Sequence, residues 1–239
     1  MSYRLDVLPD EAWADAVAAD LAERLRAKPD LRLCLPTGET PAPLYEALVR
    51  MAERGEVSFA RATIVLLDEY LGLPAGDPAR GGPRLARELV DRVAPANYHA
   101  IDADATDPES AARRHDAIAA EGLDLTLLGL GLNGHIGLNE PGSAPDADTA
   151  VVRLASRSQA VAQDYGAASA PASGITLGIA RLLESNEIWL LVTGQRKAGI
   201  LVRALLGPEG AEVPASFLRR HPNYRVVADR SAAAEIPRA

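Results

Sequence analysis

The sequence predicts an α/β fold, a mostly parallel sheet with helices on both faces. Three observations carry the prediction. Short apolar runs recur along the chain, each is followed by a stretch of helical spacing, and several runs are too continuously apolar to have a solvated face. The first amphipathic stretch is 11–27, EAWADAVAADLAERLRA, where Trp13, Val17, Leu21 and Leu25 fall on one helical face. LRLCLP (31–36) reads as a strand, PTGETP as a turn, and APLYEALVRMAERG (42–55) as a helix with a glycine stop. TIVLL (63–67) is a second strand, and PESAARRHDAIAAEG (108–122) is a helix leading to the apolar run Leu125 to Leu130. ITLGIARLLESN (175–186) starts extended and turns helical; EIWLLVTG (187–194) is a strand, QRKAGILVRALLG (195–207) a helix and YRVVAD (224–229) a last strand. The Pro/Gly-rich stretches 74–84 and 141–148 read as loops over one edge. No repeat or low-complexity linker intervenes, so 1–239 is expected to form one domain.

Composition excludes several classes. Hydrophobic residues make up 48% and charged residues 24%, as in ordinary water-soluble domains. A net charge of −8 argues against a general nucleic-acid surface, though not against a locally positive pocket for an anion. No window approaches the ~18 uninterrupted apolar residues of a membrane span. Cys34 is the only cysteine, so no internal disulfide is expected and a reducing, cytoplasmic setting is the natural inference.

The richest segment is DLTLLGLGLNGHIGLNEP (124–141), an apolar strand ending in a turn that presents Asn133, His135, Asn139 and Glu140. Ligands of α/β proteins bind beyond the carboxyl ends of the strands. A histidine there titrates in the range needed for proton transfer, and a carboxylate such as Glu140 on one ring nitrogen fixes its tautomer. The dull alternative is a polar loop residue. Gly129, Gly131 and Gly134 match G-x-G-x-x-G, but Gly137, Pro141 and Gly142 interrupt any following helix, so no nucleotide cofactor is expected. The glycines instead fit close approach of the backbone to a substrate or side chain. No metal is expected, because His99, His115 and His221 are scattered.

In LLDEYLGLP (66–74), Asp68 and Glu69 should point opposite ways along an extended segment. One can enter a site as a general base once burial raises its pKa; the other fits a cap. In the turn 36–41, backbone N–H groups at Gly38 with the Thr37 and Thr40 hydroxyls can cradle a phosphate, although Glu39 suits this only if it faces outward. Lys197 opens a helix against its macrodipole, which a bound anion or solvent exposure would explain.

Taken together, PTGETP, LLDEYLGLP, GLGLNGHIGLNEPG, LLVTGQRKA and PASFLRRHPNY (214–224) resemble glucosamine-6-phosphate deaminase, also called an isomerase, over about residues 31–229. The sister family, 6-phosphogluconolactonase, shares the Gly-His but not Tyr70 or the Asn-Glu-Pro at 139–141. The resemblance implies a modified doubly wound α/β domain that converts glucosamine 6-phosphate and water to fructose 6-phosphate and ammonia without cofactor or metal. It implies that Asp68 moves a proton between C2 and C1. His135 helps open the sugar ring with Glu140 as its partner, Asn133 stands where many members have Asp, and Lys197 with Thr37, Gly38, Glu39 and Thr40 binds the phosphate.

This chain departs from the family at the anion grip. The gapless match puts Asp164 where the family carries a phosphate-binding arginine, GDPARGGPR replaces a Ser-Tyr pair, and Glu39 replaces a small residue. Arg80, Arg84, Arg153 and Arg157 are the candidates to compensate, and a related sugar phosphate is an open substrate choice. A lactonase and a non-catalytic sugar-phosphate sensor are the alternatives; a sensor of this fold usually adds a DNA-binding segment, for which there is no room. The short stretch after Asp229 suggests a monomer or small homo-oligomer.

Overall fold

The computed structural model describes residues 3–237. The strands are β1 (Arg4–Leu8), β2 (Arg32–Leu35), β3 (Thr63–Leu66), β4 (Asp68–Tyr70), β5 (Asn97–His99), β6 (Leu125–Gly129), β7 (Ala150–Arg153), β8 (Ser173–Thr176), β9 (Ile188–Val192) and β10 (Tyr224–Asp229). The helices are α1 (Trp13–Ala27), α2 (Ala42–Glu53), α3 (Gly81–Leu85), α4 (Asp91–Val93), α5 (Pro108–Ala119), α6 (Ser156–Asp164), α7 (Ile179–Leu183) and α8 (Ala198–Leu206). Seven strands form one parallel sheet in the order β1-β10-β9-β6-β2-β3-β5. A small antiparallel sheet, β4-β8-β7, lies beside it. This is the doubly wound arrangement that the alternation of runs predicts.

The period of two along each strand divides the core. Leu33, Leu35, Ile64, Leu66, Leu125, Leu127, Trp189 and Leu191 face one side, where they meet Trp13, Val17, Leu21 and Leu25 of α1 and Leu44 and Leu48 of α2. Cys34, Val65, Leu67, Leu128, Ile188, Leu190 and Val192 face the other, against Leu182 of α7 and Leu201 and Leu205 of α8. Every strand of the centre is therefore buried on both faces, and its sequence must be apolar throughout.

Winding proceeds outward in two directions. From β2 the chain goes to β3 and β5; from β6 it goes to β9 and β10. β2 and β6 are hydrogen-bonded neighbours at the reversal, so the loops leaving their carboxyl ends part in opposite directions and open a crevice between them.

Three parts of the sequence reading need correction. The stretch 74–84 is not loop throughout: its end begins α3, which continues through a π-helical turn (Ala86–Val90) into α4. Glu69 makes this possible by accepting from the first-turn amides of Gly81 (2.8 Å) and Gly82 (2.7 Å), which have no partner within the helix. The N-terminal segment adds an edge strand, β1, parallel to β10. Residues 156–164 form α6, which no apolar stripe announces.

Candidate active site

Loops from β2, β3, β6 and β9 converge on one cleft of about 490 Å³ at the reversal point. Asp68, His135, Lys197 and the Thr37–Thr40 turn all line it, so strand ends far apart in sequence bring the expected groups to a common hollow. A narrower recess of about 90 Å³ continues inward beside Asp68, Tyr70, His135, Leu138, Ser158 and Tyr165.

Asp68 follows β3 after Leu67 and begins β4. Glu69 is buried and accepts from the amides of Tyr70, Gly81 and Gly82, though it also borders the recess, while Asp68 lines both the cleft and the recess. Burial, and secondarily the neighbouring Glu69 carboxylate, push the Asp68 pKa up to about 7. That is the poise of a general base working near neutrality. Gly137 abuts it: a Cβ there would lie 3.2 Å from Asp68 Oδ2 and 2.7 Å from Thr176 Oγ1, so the loop carrying His135 reaches Asp68 only because residue 137 has no side chain.

His135 rests on the backbone of Gly131. A Cβ on Gly131 would stand 2.4–2.5 Å from Cε1, Nε2 and Cδ2 of the ring, which accounts for a glycine there without any nucleotide. Behind the imidazole, Glu140 Oε2 accepts from Asn133 Nδ2 at 2.9 Å, and Oε1 accepts from the Ala155 amide at 3.3 Å. Asn133 in turn accepts from the His135 amide at 3.2 Å. Burial raises the Glu140 pKa, but the nearby His135 and Ser158 and the hydrogen bond from Asn133 outweigh it and hold the group at about 2. Neither Asn133 nor Glu140 lines the cleft; both stand beside the imidazole. The direct Nδ1–Oε2 separation is 3.6 Å, longer than a hydrogen bond, so the simple carboxylate–imidazole pair expected from sequence is incomplete.

The far end of the cleft is formed by the 36–41 turn and by residues 193–197. Gly38 has φ 131°, which turns the 36–41 segment sharply, and Glu39 is exposed yet lines the cleft, so the outward-facing placement that a phosphate cradle needs is not met. Lys197 Nζ donates to Thr40 Oγ1 at 3.1 Å, and Thr40 shares a 3.2 Å hydrogen bond with Thr193. Burial pulls the Lys197 pKa down to about 8, with Glu39 and Asp229 opposing the fall and Arg196 adding to it. Among the four arginines considered as replacements, Arg157 alone lines the cleft. Arg80 is committed to Asp104 (3.0 Å), Arg84 pairs with Glu88 (2.7 Å) and lies over the Tyr165 ring (4.2 Å), and Arg153 lies on β7. Asp164 also lines the cleft, two turns after Arg157 on α6.

Sequence reasoning missed Ser158, Tyr165, Thr193 and Arg196, all of which line the cleft or its recess. Arg196 was legible beside Lys197. Ser158 and Tyr165 were not, because α6 turns only small residues, Ser158 and Ala162, fully inward.

The sequence profile of the glucosamine-6-phosphate isomerases/6-phosphogluconolactonase family matches residues 9–227. The glucosamine-6-phosphate deaminase of Rhodopirellula baltica is 38% identical over 236 residues, covering 96% of this chain and 94% of the relative. That of Streptomyces coelicolor is 37% identical over 238 residues, covering 96% and 91%. The fold is similar to the solved structure of a monomeric glucosamine-6-phosphate deaminase, with a TM-score of 0.91, 32% identity and coverage of 97% and 99%. It is also similar in fold to the 6-phosphogluconolactonase of Leishmania guyanensis, with a TM-score of 0.79, 18% identity and full coverage of both chains.

Proposed function

The chain belongs to the glucosamine-6-phosphate isomerases/6-phosphogluconolactonase family, and from that premise we propose that it is a glucosamine-6-phosphate deaminase, converting glucosamine 6-phosphate and water to fructose 6-phosphate and ammonia. One observation carries the reading: Asp68, His135 and Lys197 line a single sugar-sized cleft. The deaminase relatives at 37–38% identity agree with it.

In this reading Lys197 and the Thr37–Thr40 turn hold the phosphate, and Arg157 or Arg196 supplies the guanidinium that Asp164 does not. His135 moves a proton between the ring oxygen and the anomeric hydroxyl, which opens the pyranose. The Asp68 carboxylate then removes the C2 proton. The electron pair forms the C1–C2 double bond of an enolamine, and the aldehyde oxygen takes up a proton. Return of the proton to C1 leaves a ketimine at C2; water adds there, and ammonia departs. Each proton transfer by a positioned group contributes about 10²–10⁴-fold.

The reading takes 1–239 as one domain, supported by the edge strand β1 pairing with β10 from the opposite end of the chain. It takes the protein as a cytoplasmic enzyme of free sugar phosphates, independent of nucleic acid and membranes. The lone buried Cys34 agrees, and no helix among the described residues is long and apolar enough to cross a membrane. A monomer is the assembly proposed, by likeness to the monomeric deaminase.

The test is incubation with a panel of amino- and hydroxy-sugar phosphates and 6-phosphogluconolactone. Ammonia and ketose from glucosamine 6-phosphate support the proposal. Lactone hydrolysis without ammonia assigns the chain to the lactonase branch, and binding without turnover makes it a sensor.

A further inference from the structure

The pairing of His135 with Glu140 leaves a gap that a third side chain fills. Nδ1 and Oε2 are 3.6 Å apart, and the Ser158 hydroxyl lies 3.4 Å from Nδ1, close enough to the Glu140 carboxylate to help lower its pKa. Ser158 is 2% exposed, so water does not compete for it. A hydroxyl can accept and donate at once, which neither the carboxylate nor the imidazole N–H can do. Gly131 fixes the plane of the ring by contact, but that plane is kept when the ring makes a half-turn about Cβ–Cγ, which exchanges Nδ1 with Cδ2. The partner of Nδ1 sets that rotation. The same helix start also supplies the Ala155 amide to Glu140 Oε1, so the first turn of α6 anchors both members of the pair.

We propose that Ser158 is a positioning residue for ring opening, accepting from Nδ1–H of His135 and donating to the Glu140 carboxylate. The proposal rests on the deaminase reading above. Ser158 fixes the proton on Nδ1 and leaves Nε2 as the basic nitrogen for the sugar. It also makes the alignment of the imidazole depend on α6, whose Arg157, Val161 and Asp164 line the same cleft. Seating of the sugar against α6 and orientation of the acid–base group are thereby joined through one hydroxyl.

The experiment compares wild type with Ser158→Ala, Ser158→Thr and Ser158→Cys. The last keeps the volume with a weaker hydrogen-bonding group, so it gives the contrast without a cavity. Ammonia release from glucosamine 6-phosphate gives kcat, and calorimetry gives the Kd of 2-amino-2-deoxyglucitol 6-phosphate, an open-chain analogue that needs no ring opening. The expected result is a kcat at least about tenfold lower in Ala and Cys, wild-type turnover within about threefold in Thr, and alditol Kd within about twofold throughout. Unchanged kcat in Ala and Cys overturns the proposal. So does a parallel loss of alditol affinity, which would make Ser158 a prop for the cleft, or a Thr variant as slow as Ala. Absence of ammonia from wild type overturns the deaminase reading itself, and is told apart because it appears before any substitution.

Discussion

Replacing Asp68 by Asn should make the protein more stable and nearly inactive at once. The amide keeps the shape of the carboxyl group but cannot ionise. In the folded protein burial and Glu69 hold the Asp68 pKa up to about 7, against an ordinary value of 3.8. A group whose folded pKa is raised contributes its full stability below the unfolded value and loses it as pH rises through the folded one. Wild type therefore bears a penalty that is absent near pH 4, grows with pH and levels off above about pH 7, at up to about 4 kcal/mol. Asn removes that penalty. In a chain of this size each kcal/mol moves the melting temperature by about 2–4 °C, so Asp68→Asn should melt several degrees above wild type at pH 8 and level with it near pH 4. Turnover should fall by at least about 10²-fold, because the amide cannot take the C2 proton. Calorimetric melting across pH 4–9, beside a coupled ammonia assay, reads both effects. A variant that melts lower than wild type at pH 8, or that keeps its turnover, refutes the assignment of Asp68 as a buried base.

Further outcomes follow from the same geometry. In wild type, kcat/KM should fall about tenfold per pH unit well below the Asp68 value of about 7, and it should also decline above about 8 as Lys197 loses its charge. Lys197→Arg should carry the alkaline limb to higher pH in a kcat/KM profile, and an unmoved limb would assign it to another group. Gly131→Ala drives a methyl group into the His135 ring and should cut kcat by at least about tenfold, with KM little changed, in steady-state kinetics. Arg157→Ala and Arg196→Ala each remove a guanidinium from the anion end. The one that grips phosphate should raise KM about ten- to a hundredfold, the cost of a charged hydrogen bond of about 1.5–3 kcal/mol.

The strands of the central sheet are plain in the sequence because burial on both faces demands unbroken apolar runs, as in LRLCLP and EIWLLVTG. β1 is harder to see: it is an edge strand with no fully buried residue, and RLDVL carries charge accordingly. The small sheet of β4, β7 and β8 was legible only as the extended stretches at 68–69 and 175, since three- and four-residue strands, β4 and β7 each paired only with β8, need no pattern of their own. α3 is masked by glycines that belong there because Glu69 needs two bare amides to accept from; a Cβ on Gly82 would crowd its carboxylate at 3.2 Å.

The acid–base groups were legible for a related reason. Asp68, His135 and Lys197 sit in loops directly after apolar runs, where a polar cluster needs explaining. Ser158 and Arg157 gave no such signal. They reach the cleft and its recess because α6 crosses there, in contact with His135 and Glu140, which lie more than a dozen residues away in sequence. The departures at Glu39 and Asp164 were visible, but their meaning was not: only the folded cleft tells Arg157, which lines it, from Arg80 and Arg84, which are committed elsewhere.

The most direct measurement follows both products from glucosamine 6-phosphate in one reaction. A carboxylate and an imidazole facing a common cleft predict ammonia and fructose 6-phosphate in equal amounts from wild type, and neither above background from Asp68→Asn. Release of both by the Asn variant at the wild-type rate, or lactone hydrolysis with no ammonia from either protein, would contradict the account.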